Sequence, residues 1–244
     1  MKILLLILLC ILVLIIAIIN NVTKPLTTSR FIATNYLYIF TGLLIYLFTG
    51  EYLEKQNIDI FTIGQRLMPL FILTLLLLFG ILMMPSENQS IKHLLWLGFV
   101  ILISVTGYPI YKIAKEEQIL YRVLVTLAII FIIMSYVQID NFESYMPYLL
   151  FGLIGLIIFQ SLDLIFGSSS GINKRFWYYS IFGIFLFSGF LIYDTQKIIK
   201  LSKYIEKNCI KTHLECADYP TNSLSIILDL LNLFNQLTYI NKKS

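Results

Sequence analysis

Long apolar runs joined by short polar connections make up most of the chain. A helix needs about 20 mostly apolar residues to cross a bilayer. That length picks out eight segments, at about residues 3–19, 31–49, 67–84, 91–110, 119–139, 145–167, 176–199 and 222–240. The runs are unbroken rather than alternating, which excludes the strands of a membrane barrel. The pattern predicts an all-α, polytopic transmembrane bundle with no separate soluble domain.

The first run stands apart from the other seven. Lys2 followed by Ile3–Ile19 resembles a signal sequence, but its 17 residues exceed the usual apolar core of about 7–15. A small-x-small cleavage pattern is also missing before Asn20. We therefore read residues 1–20 as an extra hydrophobic N-terminal segment, an uncleaved anchor with a cleaved signal as the alternative, and residues 30–244 as the membrane domain.

Composition sharpens this picture. The chain is 58% hydrophobic and 13% charged, against about 45–50% and 25% for ordinary soluble domains. A water-soluble fold of 244 residues cannot hide that much apolar surface, and disorder is excluded by the same numbers. The basic residues sit between apolar runs rather than on one face, so no nucleic-acid partner is expected. Charge totals on the two sides of the membrane are nearly equal. Lys197, Lys200, Lys203, Lys207 and Lys211 form the densest cluster, which favours a cytoplasmic connection between the last two runs. Three cysteines make no disulfide framework. Cys209, His213 and Cys216 share one connection with Glu215, but their spacing is loose for a structural zinc site, and we read it as a solvated loop.

Ionisable groups inside a span are costly and mark functional sites by default. Asp163, Asp194 and Asp229 qualify. Asp194 lies five residues before the end of its run and Asp229 seven after the start of its own, which puts them about 8 and 10 Å from one membrane face. One connection joins these two ends, so both carboxylates occupy the same layer. On the last run Ser225, Asp229, Asn232 and Gln236 are spaced four, three and four, one polar stripe on a helix. Such a helix belongs in a bundle interior or beside water, and the stripe also fits an interhelical hydrogen-bond seam without a transport role. Asp163 falls near the opposite face, beside Arg122, Lys174 and Arg175, and reads as an interfacial partner of a cation.

These residues carry a family resemblance. Gly189-Phe-Leu-Ile-Tyr-Asp194-Thr-Gln196 resembles the sixth-helix signature of the Bax inhibitor motif family, which includes the Golgi anti-apoptotic and Lifeguard proteins. Asp218-Tyr219 and Ser223-Leu-Ser-Ile-Ile-Leu-Asp229-Leu-Leu-Asn-Leu-Phe234 resemble its acidic loop end and final helix. Arg30-Phe-Ile-Ala-Thr-Asn-Tyr36 is similar to its basic approach to the first helix, and Gly98-Phe99 and Gly107-Tyr-Pro109 match its third helix weakly. The resemblance implies seven helices around a central last helix and a calcium leak from acidic or reticular stores. It also implies suppression of cell death, with apoptosis regulators or calcium channels as partners, and an endoplasmic reticulum or Golgi membrane if the protein is eukaryotic or viral. By motif match, Asp194 and Asp229 become a pH sensor and transient calcium site, with Ser225, Asn232 and Gln236 as pathway lining. Calcium is then a permeant ion and no cofactor is resident. The chain departs from the family in its N-terminal run, its long connection before the last helix and the missing arginines in Met83-Met84-Pro-Ser-Glu-Asn-Gln-Ser90, where Lys92 and His93 are the nearest basic substitutes.

Two other classes compete. Tyr193-Asp194 with Asp229 also fits an intramembrane aspartyl protease, where two carboxylates share a proton. However, Ile226-Ile-Leu precedes Asp229 in place of Gly-x-Gly, and a Pro-Ala-Leu motif is missing. No enzyme activity is expected. The other competitor is a non-conducting interaction protein that modulates channels or death regulators.

Overall fold

The first described helix begins where the Thr27 hydroxyl accepts a hydrogen bond from the Arg30 amide (3.4 Å), which satisfies one of the orphan donors of a helix start. This computed structural model describes residues 27–58, 60–85, 88–166, 172–208 and 217–242. The N-terminal segment 1–20 and the connection bearing Cys209, His213, Glu215 and Cys216 lie outside the described residues.

All regular structure among the described residues is helical, with no strand. We number the helices α1 (Thr28–Lys55), α2 (Ile60–Met83), α3 (Gln89–Thr106), α4 (Tyr108–Glu116), α5 (Leu120–Tyr136), α6 (Met146–Phe166), α7 (Ile172–Asn208) and α8 (Tyr219–Asn241); a 3-10 turn, Phe142–Tyr145, leads into α6. Helix ends are closed by local chemistry. At the end of α1 the Asn57 amide donates to the Glu54 carbonyl (2.8 Å) and the Ile58 amide to the Leu53 carbonyl (3.2 Å). Asn57 takes the positive φ that this reversal requires. Gln118 repeats the motif after α4, with Ile119 donating to Ala114 at 2.9 Å.

Two expectations need correction. The run at about 91–110 is not one helix: α3 and α4 meet at Gly107 with a 46° bend. Pro109 has no N–H to give the Val105 carbonyl, so the ladder is interrupted there. The Tyr46 hydroxyl donates to the Gly107 carbonyl (3.2 Å), and a Cβ on Gly107 would sit 2.7 Å from the Tyr46 ring. Secondly, α7 does not stop near 199 but continues to Asn208. Lys197, Lys200, Lys203 and Lys207 are therefore helical rather than part of a loop, while Lys211 lies outside the described residues.

The chain divides into two compact units. The first comprises Met1–Lys112 and Ile198–Ile227. In it α3 packs against both α1 and α2, and Gly42 of α1 admits the Ile227 side chain, which a Cβ would meet at 2.7 Å. Phe31, Tyr38, Trp96, Phe99 and Tyr219 are buried in its core. The second comprises Ile113–Lys197 and Leu228–Ser244. Here α6 and α7 approach closely: Cβ atoms on Gly152 and Gly189 would meet Leu186 and Leu149 at 2.9 and 2.8 Å.

Among the described residues three helices are long and apolar enough to cross a membrane, Thr28–Lys55, Phe142–Leu162 and Arg175–Asn208, with a fourth crossing if α3 and α4 count as one bent span. The outer face of α6 leaves Phe151, Ile154, Ile158 and Phe159 at least half exposed. An apolar patch of that kind on a single helix has lipid, not water, as its natural surroundings.

Candidate functional site

The site lies in the second unit, where α7 and α8 run antiparallel. Three contacts define their seam. Phe176 stacks on Tyr239 with ring centroids 6.0 Å apart. Gly183 faces Gln236, whose side chain a Cβ would meet at 2.9 Å. Farther along, the Asp194 and Asp229 carboxyls are in hydrogen-bonding contact. As α7 advances through 176, 183 and 194, α8 retreats through 239, 236 and 229, so the missing Cβ of Gly183 lets the two backbones draw together along the seam.

Both carboxyls are buried, at 9% and 7% exposure for Asp194 and Asp229. A hydrogen bond between two carboxyl groups has only one possible donor, a protonated oxygen. The remaining oxygen, Asp229 Oδ2, is buried with no hydrogen-bond partner among the described residues. Two buried carboxyls thus face each other, with one oxygen unpartnered among the described residues.

The rest of the stripe is less uniform than its spacing implies. Gln236 is buried against Gly183, whereas Asn232 is half-buried. Ser225 is also half-buried, and its hydroxyl donates to the Asn222 carbonyl of its own helix (3.4 Å). Two residues outside the stripe, Thr195 and Asn235, carry buried oxygens, Oγ1 and Oδ1, with no partner among the described residues. Their unremarkable place in the sequence gives no signal for this.

Gln196, the last residue of the α7 signature, has a role that spacing did not reveal. In the amide orientation that satisfies both of its polar atoms, it donates to the Ile139 carbonyl (3.2 Å) and accepts from the Ile139 amide (2.7 Å). It thus holds the extended backbone that follows α5 and ties α7 to it two residues from Asp194. Lys92, one of the two basic substitutes for the missing arginines, has its ammonium committed to Asp218 (2.5 Å) and the Met84 carbonyl (3.0 Å). Arg122 is exposed. The side chains of Asp163 and Lys174 lie outside the described residues. No group of three or more His, Cys, Asp or Glu side chains among the described residues is placed to hold a metal ion.

Residues 28–244 match the family model described as inhibitor of apoptosis-promoting Bax1. The chain belongs to the Bax inhibitor-1 family. Among its relatives is a Bax inhibitor 1 of Arabidopsis thaliana, 30% identical over 166 residues, which cover 66% of this chain and 62% of the plant protein. A protein of Borreliella burgdorferi, described only as uncharacterized, is 29% identical over 218 residues, covering 86% of this chain and 90% of the relative. The match spans every described helix and includes the α7–α8 seam. Family membership and the apolar helices together make the chain an integral membrane protein.

Proposed function

We propose that this member of the Bax inhibitor-1 family is a pH-sensitive calcium leak that suppresses cell death by limiting stored calcium. In a eukaryotic or viral setting its membrane is that of the endoplasmic reticulum or Golgi. The protein has no catalytic role in this reading, and calcium passes through it without a resident cofactor. Its seven crossings are α1, α2, the bent α3–α4 pair, α5, α6, α7 and α8. Support for α8 as the central helix comes from its burial, since no residue from Tyr219 to Asn241 is exposed.

One observation carries the reading: two carboxyls on facing helices, buried and hydrogen-bonded to each other. While one proton is shared, the contact holds α7 against α8 in a short, charge-assisted bond. Losing that proton replaces attraction with repulsion between two anions in a medium of low dielectric. The helices then part and leave four carboxylate oxygens, which suit calcium because it accepts oxygen ligands in flexible geometry. Gln236, Asn232 and Ser225 continue the polar stripe along α8. The sign follows directly. Low pH favours the shared proton and the closed seam, and rising pH opens it. The apparent titration belongs to the pair and not to either residue.

Calcium flux through purified protein in liposomes tests this. Leak rises as pH increases through roughly 6–8. Asp194→Asn and Asp229→Asn each flatten that dependence, whereas Asp163→Asn leaves it intact. Wild-type liposomes that pass no calcium anywhere in this range would sink the channel reading and leave a non-conducting modulator of channels or apoptosis regulators.

A further inference from the structure

The first unit contains a second buried charge site that the aspartate pair does not use. Lys92, in the first turn of α3, is 2% exposed, and a buried ammonium persists only when it is paired. Its Nζ donates to Asp218 Oδ2 at 2.5 Å and to the Met84 carbonyl, just beyond the end of α2, at 3.0 Å. Asp218 is the N-cap of α8. Its Oδ1 accepts from the Thr221 amide (3.2 Å) and its carbonyl from the Asn222 amide (3.1 Å). One ion pair therefore joins the end of α2, the start of α3 and the first turn of α8.

Aromatic rings enclose this junction. Tyr219, next to Asp218, stacks on Tyr38 of α1 at 5.8 Å and tilts against Phe31 at 5.4 Å. Tyr38 meets the edges of His93 and Trp96 of α3 at 5.7 and 5.1 Å. Tyr38, His93 and Tyr219 are thus titratable groups close to the pair. The Tyr38 hydroxyl and Trp96 Nε1 are buried with no partner among the described residues, so the surroundings of the pair are poor in water as well as in charge.

We propose that Lys92 and Asp218 are a positioning pair that sets the axial register of α8, and through it the alignment of Asp229 with Asp194. A well-packed apolar pair generally stabilises as much as a buried ion pair, so the ionic version is best suited to fixing one register among several. Asp218 and Asp229 are eleven residues apart. That is about 16 Å along a helix and three turns, so both lie on nearly the same side of α8. A slide or rotation released at the N-cap reaches Asp229 with little loss, because α8 is unbroken from Tyr219 to Asn241. The inference rests on reading Asp194 and Asp229 as the gate.

The test uses the full chain. In liposomes at the low-pH end of the range, where the gate is closed, Lys92→Met and Asp218→Asn each raise calcium leak by at least about two-fold, the small end of the coupling between touching groups. The double variant leaks no more than either single one, and Lys92→Arg keeps the wild-type level. Asp218→Asn retains the Oδ1 cap, so it reports on the ion pair without undoing the first turn. Additive effects, or single variants with wild-type leak and pH profile, overturn the proposal. Hydrogen exchange in detergent provides an arm that does not depend on conduction: the Thr221 and Asn222 amides exchange faster in Lys92→Met. If exchange accelerates while the wild-type protein passes no calcium, the gate reading fails and the clamp stands. Unchanged exchange in a conducting protein removes the clamp alone.

Discussion

A carboxyl among leucines is conspicuous in a sequence, because almost nothing else in a membrane span carries a charge. That contrast makes Asp194 and Asp229 readable, and counting residues from the membrane face they share puts them in one layer. Their mates are not readable. Gln196 satisfies both of its polar atoms on the backbone of Ile139, and a backbone amide has no letter in the sequence to announce it. Lys92 and Asp218 are 126 residues apart, each ordinary where it stands. Gln196→Ala removes both hydrogen bonds to Ile139 and should lower stability by about 1–3 kcal/mol, seen as a lower denaturation midpoint in detergent. Gln196→Glu cannot donate when ionised and should lose as much above neutral pH. If Gln196→Ala melts with the wild type, the amide is not holding the segment after α5.

Helices are legible as far as apolar length defines them. The seven runs between 31 and 240 each contain a described helix, because a long unbroken apolar run has no other way to satisfy its backbone in lipid. Their ends depart from the apolar runs where something other than hydrophobicity decides. The extension of α7 to Asn208 follows from the helix-forming Lys, Ile, Leu and Glu residues beyond 199, which a hydropathy ruler counts as an exit from the membrane. The break at Gly107 depends on one missing donor at Pro109 and on Tyr46 filling the place of a side chain. Pro109→Ala returns the donor, and the 46° bend should open toward a continuous helix. Spin labels at Ile101 and Lys112 would then move apart; an unchanged distance would assign the bend to Tyr46 instead. Gly107→Ala acts in the other direction. Its methyl meets the Tyr46 ring inside van der Waals contact, and overpacking of this kind costs about 1–3 kcal/mol, measurable as a loss of thermal stability.

For the whole molecule, the bilayer is the solvent that sorts helices into inner and outer. Hydrophobicity does not distinguish them, since lipid tails are as apolar as a leucine-rich core; polarity and side-chain size at the contacts do. The final helix carries Ser225, Asp229, Asn232 and Gln236, none of which tolerates lipid, and no residue of α8 is exposed. In contrast α6 is rich in large apolar side chains, many of them exposed, with Leu156 the buried exception among its described positions. A photoactivated probe dissolved in the lipid phase should therefore label single-cysteine variants at Phe151 and Ile158 strongly and those at Leu230 and Leu233 weakly, although all four positions are apolar. Raising the pH provides the sharper contrast. If deprotonation of the aspartate pair parts α7 from α8, a water-soluble thiol reagent should gain access to a cysteine at Asn232 as pH rises, while lipid-phase labelling at Leu230 and Leu233 stays low. Equal lipid labelling of α6 and α8 would place the polar stripe at the lipid boundary and defeat the central-helix reading. Asn232 reactivity that does not change with pH would leave α8 central but remove the gate.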